Sequence, residues 1–170
     1  MTNTYPLKEV VPYFDSVQKL NDKISSLASS STVVYTYGAW DLLHPGHVIF
    51  LSRAKMLGDF LVVGVVADLP IRELKGITRP IQTQEERIIT SGSLRDVDAV
   101  ITQSDYDPTI NLEQLQRIDI LTKGDDWDYI PGTQTIEKLG GKLIKLNYSK
   151  GYSTSKLVEI MKSESYQSEL

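Results

Sequence analysis

One short stretch of the chain carries strand, turn and helix signals in immediate succession. Residues 36–47 read Thr36-Tyr37-Gly38-Ala39-Trp40-Asp41-Leu42-Leu43-His44-Pro45-Gly46-His47. A β-branched apolar run, 33–35, precedes this stretch, and an amphipathic run, 48–57, follows it. Proline suits the first turn of a helix, because no N–H donor is needed there. The stretch therefore predicts a strand, a tight glycine-bearing turn and the first turn of a helix.

The chain outside this stretch continues the same alternation of strand and helix signals. Apolar runs predict strands over 33–37, 60–66, 97–101, 118–122 and 142–146. Helical spacing predicts helices over 45–57, 83–94, 108–117, 133–139 and 153–162, with a loop over 68–80. Five strands separated by helices predict an α/β fold, a single Rossmann-like doubly wound domain whose parallel sheet has the order 3-2-1-4-5.

Two polar or irregular segments flank this predicted domain. Residues 1–31 form an N-terminal extension in which apolar residues between 14 and 27 recur at helical spacing, which predicts one extra helix. Residues 32–162 are predicted to form the α/β domain, and residues 163–170 a polar tail. The apolar face at 14–27 could cover the sheet or serve the interface of a homodimer.

Composition narrows the class of protein. The chain has 170 residues, a formal net charge of −4 and no cysteine, so disulfides and thiolate metal sites are excluded. An acidic balance does not suit nonspecific binding to nucleic acid, which needs clustered Lys and Arg. No apolar run approaches the roughly 18 residues of a membrane span, and the first residues lack a signal-peptide pattern. We expect a cytoplasmic protein that binds neither nucleic acid nor membrane.

Both histidines of the chain lie in the turn, at positions 44 and 47. A helix N-terminus presents free N–H groups and the positive end of its dipole, which suits a phosphate, and two imidazoles can donate further N–H groups. One alternative is a zinc site, although zinc needs three or four ligands and the others would have to be carboxylates. A second alternative is a pair of histidines that make ordinary structural hydrogen bonds.

Three segments with phosphate-binding character follow predicted strands. The turn follows the first strand, Gly124-Asp125-Asp126-Trp127 follows the fourth, and Gly151-Tyr152-Ser153-Thr154-Ser155 follows the fifth. Ligands of open α/β sheets bind beyond the carboxyl ends of the strands, at the switch in strand order. The three segments are therefore predicted to meet at one sheet edge.

The turn resembles the HxGH signature of the cytidylyltransferase-like nucleotidyltransferases. Residues 37–46 and 124–127 are similar to the glycerol-3-phosphate cytidylyltransferases. The loop 74–80 with Glu86-Arg87, and the segment 140–155, resemble the heptose 1-phosphate adenylyltransferases. The matches together cover roughly residues 13–162 in the order of the family, which makes the signal more specific than a lone motif.

The resemblance implies the reaction and its residues. A nucleoside triphosphate and a phosphorylated sugar or alditol would give a nucleotide-diphosphate product and pyrophosphate, with Mg²⁺ as the counterion of the triphosphate. His44, His47 and Lys75 would stabilise charge on the reacting phosphates. The residues implied to bind nucleotide are Gly38, Ala39, Trp40, Asp41, Gly46, Arg87, Gly124, Asp125, Asp126, Trp127, Ser153 and Thr154.

Several of these residues have a structural alternative. Lys75 and Arg79 could be solvated charges on a loop, and Arg87 could be a surface partner of a neighbouring glutamate. Ser153 and Thr154 could form a plain helix cap. Convergence on one sheet edge favours the functional interpretation.

The base and the acceptor stay open at this point. ATP with a heptose 1-phosphate is the expected pair; a CTP enzyme that makes a CDP-alditol such as CDP-glycerol is the alternative within the class. Residues 148–151 lack the arginine that precedes the Ser-Thr pair in those cytidylyltransferases, whereas residues 37–41 and 124–126 depart from the adenylyltransferases. A non-catalytic nucleotide-binding module and an adenylyltransferase of a cofactor pathway are further alternatives.

Overall fold

A computed structural model of the chain describes residues 6–125, 127–147 and 151–163. Within these ranges the strands are β1 (Tyr13–Phe14), β2 (Val33–Gly38), β3 (Phe60–Val66), β4 (Ala99–Gln103), β5 (Ile120–Gly124) and β6 (Lys142–Leu146). The helices are α1 (Leu7–Val10), α2 (Val17–Ser25), α3 (Pro45–Lys55), α4 (Asp68–Lys75), α5 (Gln84–Gly92), α6 (Thr109–Gln114), α7 (Thr133–Lys138) and α8 (Thr154–Lys162).

All strands lie in one parallel sheet with the order β1-β4-β3-β2-β5-β6. The order predicted for the five long strands is confirmed, but the predicted count of five is wrong. The sixth strand is the two-residue β1, which pairs with Val100 and Ile101 of β4. A two-residue strand is too short to show an alternating pattern. Helical spacing assigns Phe14 to the extra helix, which instead begins at Val17.

The connection after β3 contains a helix where the sequence predicts only a loop. Pro70 lies in the first turn of α4, where a missing N–H donor breaks no helical hydrogen bond. Ile71 is 1% exposed and packs into the core, so the helix gains an apolar contact. The helix ends at Gly76, whose φ of 94° suits glycine. Lys75 is therefore the last helical residue before a turn.

Helices cover both faces of the sheet. One apolar cluster joins the sheet to α2, α6 and α7, and includes Leu20, Leu112 and Ile136. A second cluster on the opposite face joins the sheet to α3 and α5 through Leu51 and Ile88. All residues of β2 and β3 are buried, as expected of central parallel strands. The carboxyl ends of β2 and β5 therefore sit between two layers of helices.

Capping residues mark the first turns of α3, α5 and α8. Pro45 occupies the first position of α3, and His44 is its N-cap with extended backbone angles. Thr83 and Glu86 form a capping box at the start of α5, in which the Thr83 amide donates to the Glu86 carboxylate at 2.7 Å. Ser153 caps α8 by accepting from the Lys156 amide at 3.1 Å. None of the helices in the described ranges is long and apolar enough to cross a membrane.

Candidate active site

A cavity of about 270 Å³ opens at the carboxyl ends of β2 and β5, and is called the edge pocket below. Strand order switches between these two strands, because the chain leaves β2 toward β3 and returns beside it as β5. The lining residues are Tyr37, Gly38, Ala39, Trp40, Asp41, His44, Gly46, His47, Phe50, Lys75, Arg79, Tyr106, Lys123, Gly124, Trp127, Ser153, Thr154 and Ser155.

The two histidines lie side by side at the start of α3. Their rings are stacked, with centroids 3.8 Å apart and an interplanar angle of 18°. The Nδ1 atom of each ring is buried and has no hydrogen-bond partner within the part of the chain that the structure describes. Buried polar atoms are normally paired, so two unpaired nitrogens at a pocket wall are available to a ligand.

Burial keeps both imidazoles neutral. It lowers the pKa of His47 to about 3, assisted by the neighbouring His44 and Lys75. Burial also lowers the pKa of His44 below the usual value of 6.5. A neutral imidazole still carries one N–H donor, and its proton can settle on whichever nitrogen faces an anion. The pair can therefore stabilise phosphate charge by hydrogen bonding over the physiological pH range.

The N-terminus of α8 lies against the N-terminus of α3. A side chain on Gly46 would place its Cβ 2.9 Å from the Cβ of Tyr152 and 3.0 Å from the His44 ring, so only glycine fits. The Thr154 hydroxyl donates to the Asp41 carbonyl at 2.8 Å, which fixes α8 to the turn. Two positive helix ends thus meet at one wall of the pocket, an arrangement that attracts phosphate.

The carboxylate of Asp41 binds to other groups of the protein. Its side chain is 1% exposed, and its Oδ2 lies 3.0 Å from the Nη2 atom of Arg79. The same carboxylate accepts from the backbone amides of Ile81 and Gln82 at 3.0–3.1 Å. Asp41 therefore orients Arg79 and the connection before α5. Arg79 is only 9% exposed and lines the pocket, so it is not the solvated loop charge of the alternative interpretation.

Lysines add positive charge on two sides of the pocket. Lys75 reaches the wall from the end of α4. Lys123, in β5, donates to the Tyr37 carbonyl at 2.6 Å and lies 4.0 Å from the centroid of the Tyr37 ring. The lining thus holds three cations beside the paired Asp41, although the whole chain has a formal net charge of −4. A local excess of positive charge suits an anionic ligand.

The structure brings most of the sequence-predicted residues to this pocket and leaves a few elsewhere. The residues that line it are His44, His47, Lys75, Gly38, Ala39, Trp40, Asp41, Gly46, Gly124, Trp127, Ser153 and Thr154. Asp125 is exposed and is not part of the lining. Asp126, and residues 148–150 of the segment before α8, lie outside the described residues.

Arg87 lies below the pocket wall and not in it. Its side chain is fully buried, and its guanidinium donates to the carbonyls of Ala39, Val66 and Gln82 and to the Asp68 carboxylate. The Val66 and Asp68 contacts measure 2.8 Å and 2.6 Å. In this geometry Arg87 supports the backbone of the pocket, and direct binding of nucleotide stays a prediction.

Trp40 supports the pocket through its ring. The ring is 5% exposed, donates from Nε1 to the Gly64 carbonyl at 3.0 Å and meets the His47 ring edge-on at 5.5 Å. Its backbone has a φ of 55°, in the left-handed region that few non-glycine residues adopt. A tethered indole of this kind holds His47 in place.

The sequence predicted no site role for Phe50, Tyr106 or Lys123, and Tyr37, Arg79 and Ser155 belonged to the matched segments without a role of their own; all six line the pocket. Lys123 could have been found, because it directly precedes the Gly-Asp-Asp-Trp segment at the end of a strand. Tyr106 could not, because it lies in an irregular connection between β4 and α6 that carries no motif.

The zinc alternative gains no support from the geometry. Among the described residues no group of three or more His, Cys, Asp and Glu side chains is arranged to hold a metal ion. Structural and catalytic zinc sites require at least three such ligands.

Comparison with known proteins assigns the family. Residues 35–160 match the cytidylyltransferase-like family over most of the chain. The chain belongs to the cytidylyltransferase-like family. The predicted family of nucleotidyltransferases is thereby confirmed.

The chain is also similar to individual curated proteins. The chain is 40% identical over 132 residues to the bifunctional protein HldE of Nitrosococcus oceani, and 41% identical over 133 residues to HldE of Gluconobacter oxydans. These matches cover 76% and 77% of this chain but 28% of each relative, so the chain spans less than a third of the curated relatives it matches.

Solved structures show the same fold. The crystal structure of the lipopolysaccharide core biosynthesis protein from Thermoplasma volcanium is similar with a TM-score of 0.60 and 31% identity, covering 73% of this chain and all of that one. Pantoate-β-alanine ligase from Francisella tularensis has a TM-score of 0.59 at 15% identity, covering 92% of this chain and 81% of that one. The second likeness concerns the fold alone.

Proposed function

We propose that this cytidylyltransferase-like chain transfers a nucleoside monophosphate from a nucleoside triphosphate to a phosphorylated sugar, and that its substrates are ATP and a heptose 1-phosphate, giving ADP-heptose and pyrophosphate. The observation that carries the reaction type is the edge pocket, where two helix N-termini, two neutral stacked histidines and three cations surround one space. Such a site can hold several phosphate groups at once.

The bonds that form and break require little from the protein beyond positioning. An oxygen of the acceptor phosphate attacks the α-phosphorus, and the bond to the bridging oxygen breaks so that pyrophosphate leaves with the electron pair. The acceptor phosphate has a second pKa of about 6, so it is already anionic near pH 7 and needs no general base. Charge stabilisation and in-line alignment remain, as in other phosphoryl transfers.

Seven residues of the pocket lining are assigned roles in that step. His44 and His47 donate N–H groups to the oxygens of the α-phosphate. The amides and hydroxyls at the start of α8, at Ser153 and Thr154, hold the β- and γ-phosphates. Lys75 and Arg79 neutralise charge that builds on the leaving pyrophosphate. Asp41 positions Arg79 through their ion pair.

Mg²⁺ is proposed as an ion that enters with the triphosphate. The described side chains offer no cluster of three ligands, and the one carboxylate of the pocket lining is paired with Arg79. Mg²⁺ is commonly held by substrate phosphates and water with few protein ligands, and would supply charge neutralisation there.

The choice of ATP and a heptose 1-phosphate as substrates rests on the similarity of this chain to known proteins. The loop 74–80 and the segment 140–155 resemble the heptose 1-phosphate adenylyltransferases, and the relatives include proteins named HldE and a lipopolysaccharide core biosynthesis protein. The second candidate is CTP with an alditol phosphate, which the resemblance of residues 37–46 and 124–127 to the glycerol-3-phosphate cytidylyltransferases favours.

Pyrophosphate release separates the candidates. We would test ATP, CTP, GTP and UTP, each against heptose 1-phosphate, glycerol 3-phosphate and other sugar phosphates. Release with ATP and heptose 1-phosphate at a kcat/KM at least tenfold above all other pairs is expected. Highest activity with CTP and glycerol 3-phosphate would instead establish the second candidate, and nucleotide binding without release for any pair would indicate a non-catalytic module. Lys75→Met changes a lysine of the pocket lining, and its matched control is Lys138→Met, which changes an exposed lysine of α7.

A further inference from the structure

The Tyr106 hydroxyl is a buried polar group without a hydrogen-bond partner among the described residues. Tyr106 lies in the connection between β4 and α6 and lines the edge pocket. Its Oη atom is buried and forms no hydrogen bond to any residue in the described ranges. Buried hydroxyls are paired in most proteins, so an orphaned one in a pocket wall calls for an explanation.

Neighbouring tyrosines at the same sheet edge are satisfied. The Tyr37 hydroxyl donates to the Pro131 carbonyl at 3.0 Å, and the Tyr35 hydroxyl donates to Gln103 Oε1 at 2.7 Å. The fold therefore supplies partners to buried hydroxyls in this region, and Tyr106 is the exception. Burial raises the pKa of Tyr106, so its hydroxyl stays protonated and can act as a donor at neutral pH.

The surroundings of this hydroxyl suit the carbon skeleton of a sugar. The rings of Tyr106 and Trp127 lie with centroids 6.2 Å apart, and the Lys123 Nζ atom is 5.3 Å from the Trp127 ring. An aromatic face can pack against the C–H face of a polyol phosphate, and its polar tip can bond to a hydroxyl. A nearby cation can contact the phosphate. This aromatic wall comprises Tyr37, Tyr106, Lys123 and Trp127.

The two tyrosines of the aromatic wall lie on a different face of the sheet from α3, which begins at the histidine turn. Tyr106 packs against the cluster under α2, α6 and α7, whereas α3, which begins with the histidine turn, packs into the cluster of the opposite face. In the proposed reaction, pyrophosphate leaves toward the adjoining ends of α3 and α8. An in-line displacement requires the attacking phosphate to enter from the side opposite the leaving group. The acceptor then approaches from the aromatic wall.

We propose that Tyr106 is a specificity-determining residue, whose hydroxyl donates a hydrogen bond to a hydroxyl of the phosphorylated sugar acceptor while Trp127 and Lys123 flank that sugar. This inference rests on the proposed nucleotidyl transfer and says which part of the same pocket binds the acceptor. A site built to bond a substrate hydroxyl rejects analogues that lack it, because its own buried donor is then left unpaired.

Tyr106→Phe tests the inference, since it removes one oxygen and keeps the ring against Trp127. With the acceptor that the wild-type enzyme uses best, the KM for acceptor should rise roughly tenfold, whereas kcat and the KM for the nucleoside triphosphate stay within twofold. Thermal stability should be unchanged or slightly higher, because the folded protein loses an unpaired buried group. The matched control is Tyr129→Phe, whose side chain is 58% exposed and outside the pocket lining, and all constants should stay at wild-type values.

Analogues of the acceptor sharpen the test. For one of the monodeoxy sugar phosphates, the wild type and Tyr106→Phe should have equal KM values, because the hydroxyl that Tyr106 contacts is absent. An unchanged acceptor KM in Tyr106→Phe would overturn the inference, as would a rise in the KM for triphosphate alone or a clear loss of stability. If the best acceptor is not a heptose phosphate, the proposed substrate fails, and the same comparison still decides the role of Tyr106.

Discussion

The carboxylate of Asp41 and the guanidinium of Arg79 form a buried ion pair that joins two separate connections of the sheet. Nη2 of Arg79 lies 3.0 Å from Oδ2 of Asp41, and the two side chains are 10% and 1% exposed. Asp41 belongs to the turn after β2, and Arg79 to the segment between α4 and α5. The pair holds a cation at the pocket wall and fixes the turn that begins α3.

Asp41→Asn should destabilise the protein and reduce turnover. An amide cannot neutralise the buried Arg79, and its NH₂ group would face an N–H donor of Ile81 or Gln82. Breaking a buried pair costs about 3 kcal/mol. Urea unfolding should therefore show a loss of about that size, and pyrophosphate release should fall at least tenfold because Arg79 is displaced.

The matched control is Asp15→Asn. Asp15 pairs with Lys19 on the surface, where solvent screens the interaction. The midpoint of unfolding of this variant should match that of the wild type. If Asp41→Asn were as stable and active as Asp15→Asn, the Asp41–Arg79 pair would not organise the pocket.

The sequence specified the position of the turn but not the partners of its side chains. Periodicity places strands and helices because each element repeats a local pattern, and the carboxyl-edge rule then brings the turn, β5 and α8 together. The Asp41–Arg79 pair joins residues 38 positions apart, and no local pattern encodes it. Arg87 shows the same limit, since Ala39, Val66 and Asp68, to which it donates, lie 19 to 48 positions away along the chain.

Short or irregular features escaped prediction for a related reason. The strand β1 has two residues and exists because β4 offers it an edge. The connection after β3 reads as a loop because proline and glycine are breakers, yet proline is harmless in a first turn. Tyr106 sits in a bend without a motif, and only the folded structure shows that its hydroxyl is buried and has no partner in the part of the chain that the structure describes.

Replacing either histidine with alanine should abolish pyrophosphate release while the protein stays folded. Each imidazole is assigned N–H donation to the α-phosphate, and loss of one such donor typically costs 10²- to 10³-fold in rate. Circular dichroism should be unchanged for His44→Ala and His47→Ala. Val48→Ala, at a position in α3 that is 42% exposed, should retain wild-type turnover. Near-normal turnover of either histidine variant would contradict the assigned role.

Acid should destabilise the wild type partly through His47. The pKa of His47 is about 3 in the folded protein and about 6.5 when unfolded, so the unfolded state binds the proton first as pH falls. Stability from this group is therefore full above about pH 7 and is lost as pH falls from 6.5 toward 3. Between pH 7.5 and 5.5 the loss from one such group is about 1.4 kcal/mol.

His47→Gln isolates that contribution, because glutamine does not titrate. Urea unfolding at pH 7.5 and 5.5 should show that the variant loses about 1.4 kcal/mol less than the wild type over this interval. Equal losses in both proteins would mean that His47 is solvated and titrates normally in the folded state.

Arg87→Lys should lower stability more than it affects nucleotide binding. The Arg87 side chain is fully buried, and its planar fork donates to three backbone carbonyls and to Asp68 at once, which an ammonium group cannot reproduce. We expect a loss of about 3 kcal/mol in urea unfolding. Arg95→Lys, at a side chain that is 95% exposed, is the matched control and should be neutral. Unchanged stability together with a tenfold higher KM for the triphosphate would show instead that the Arg87 guanidinium contacts the nucleotide, as the family resemblance implies.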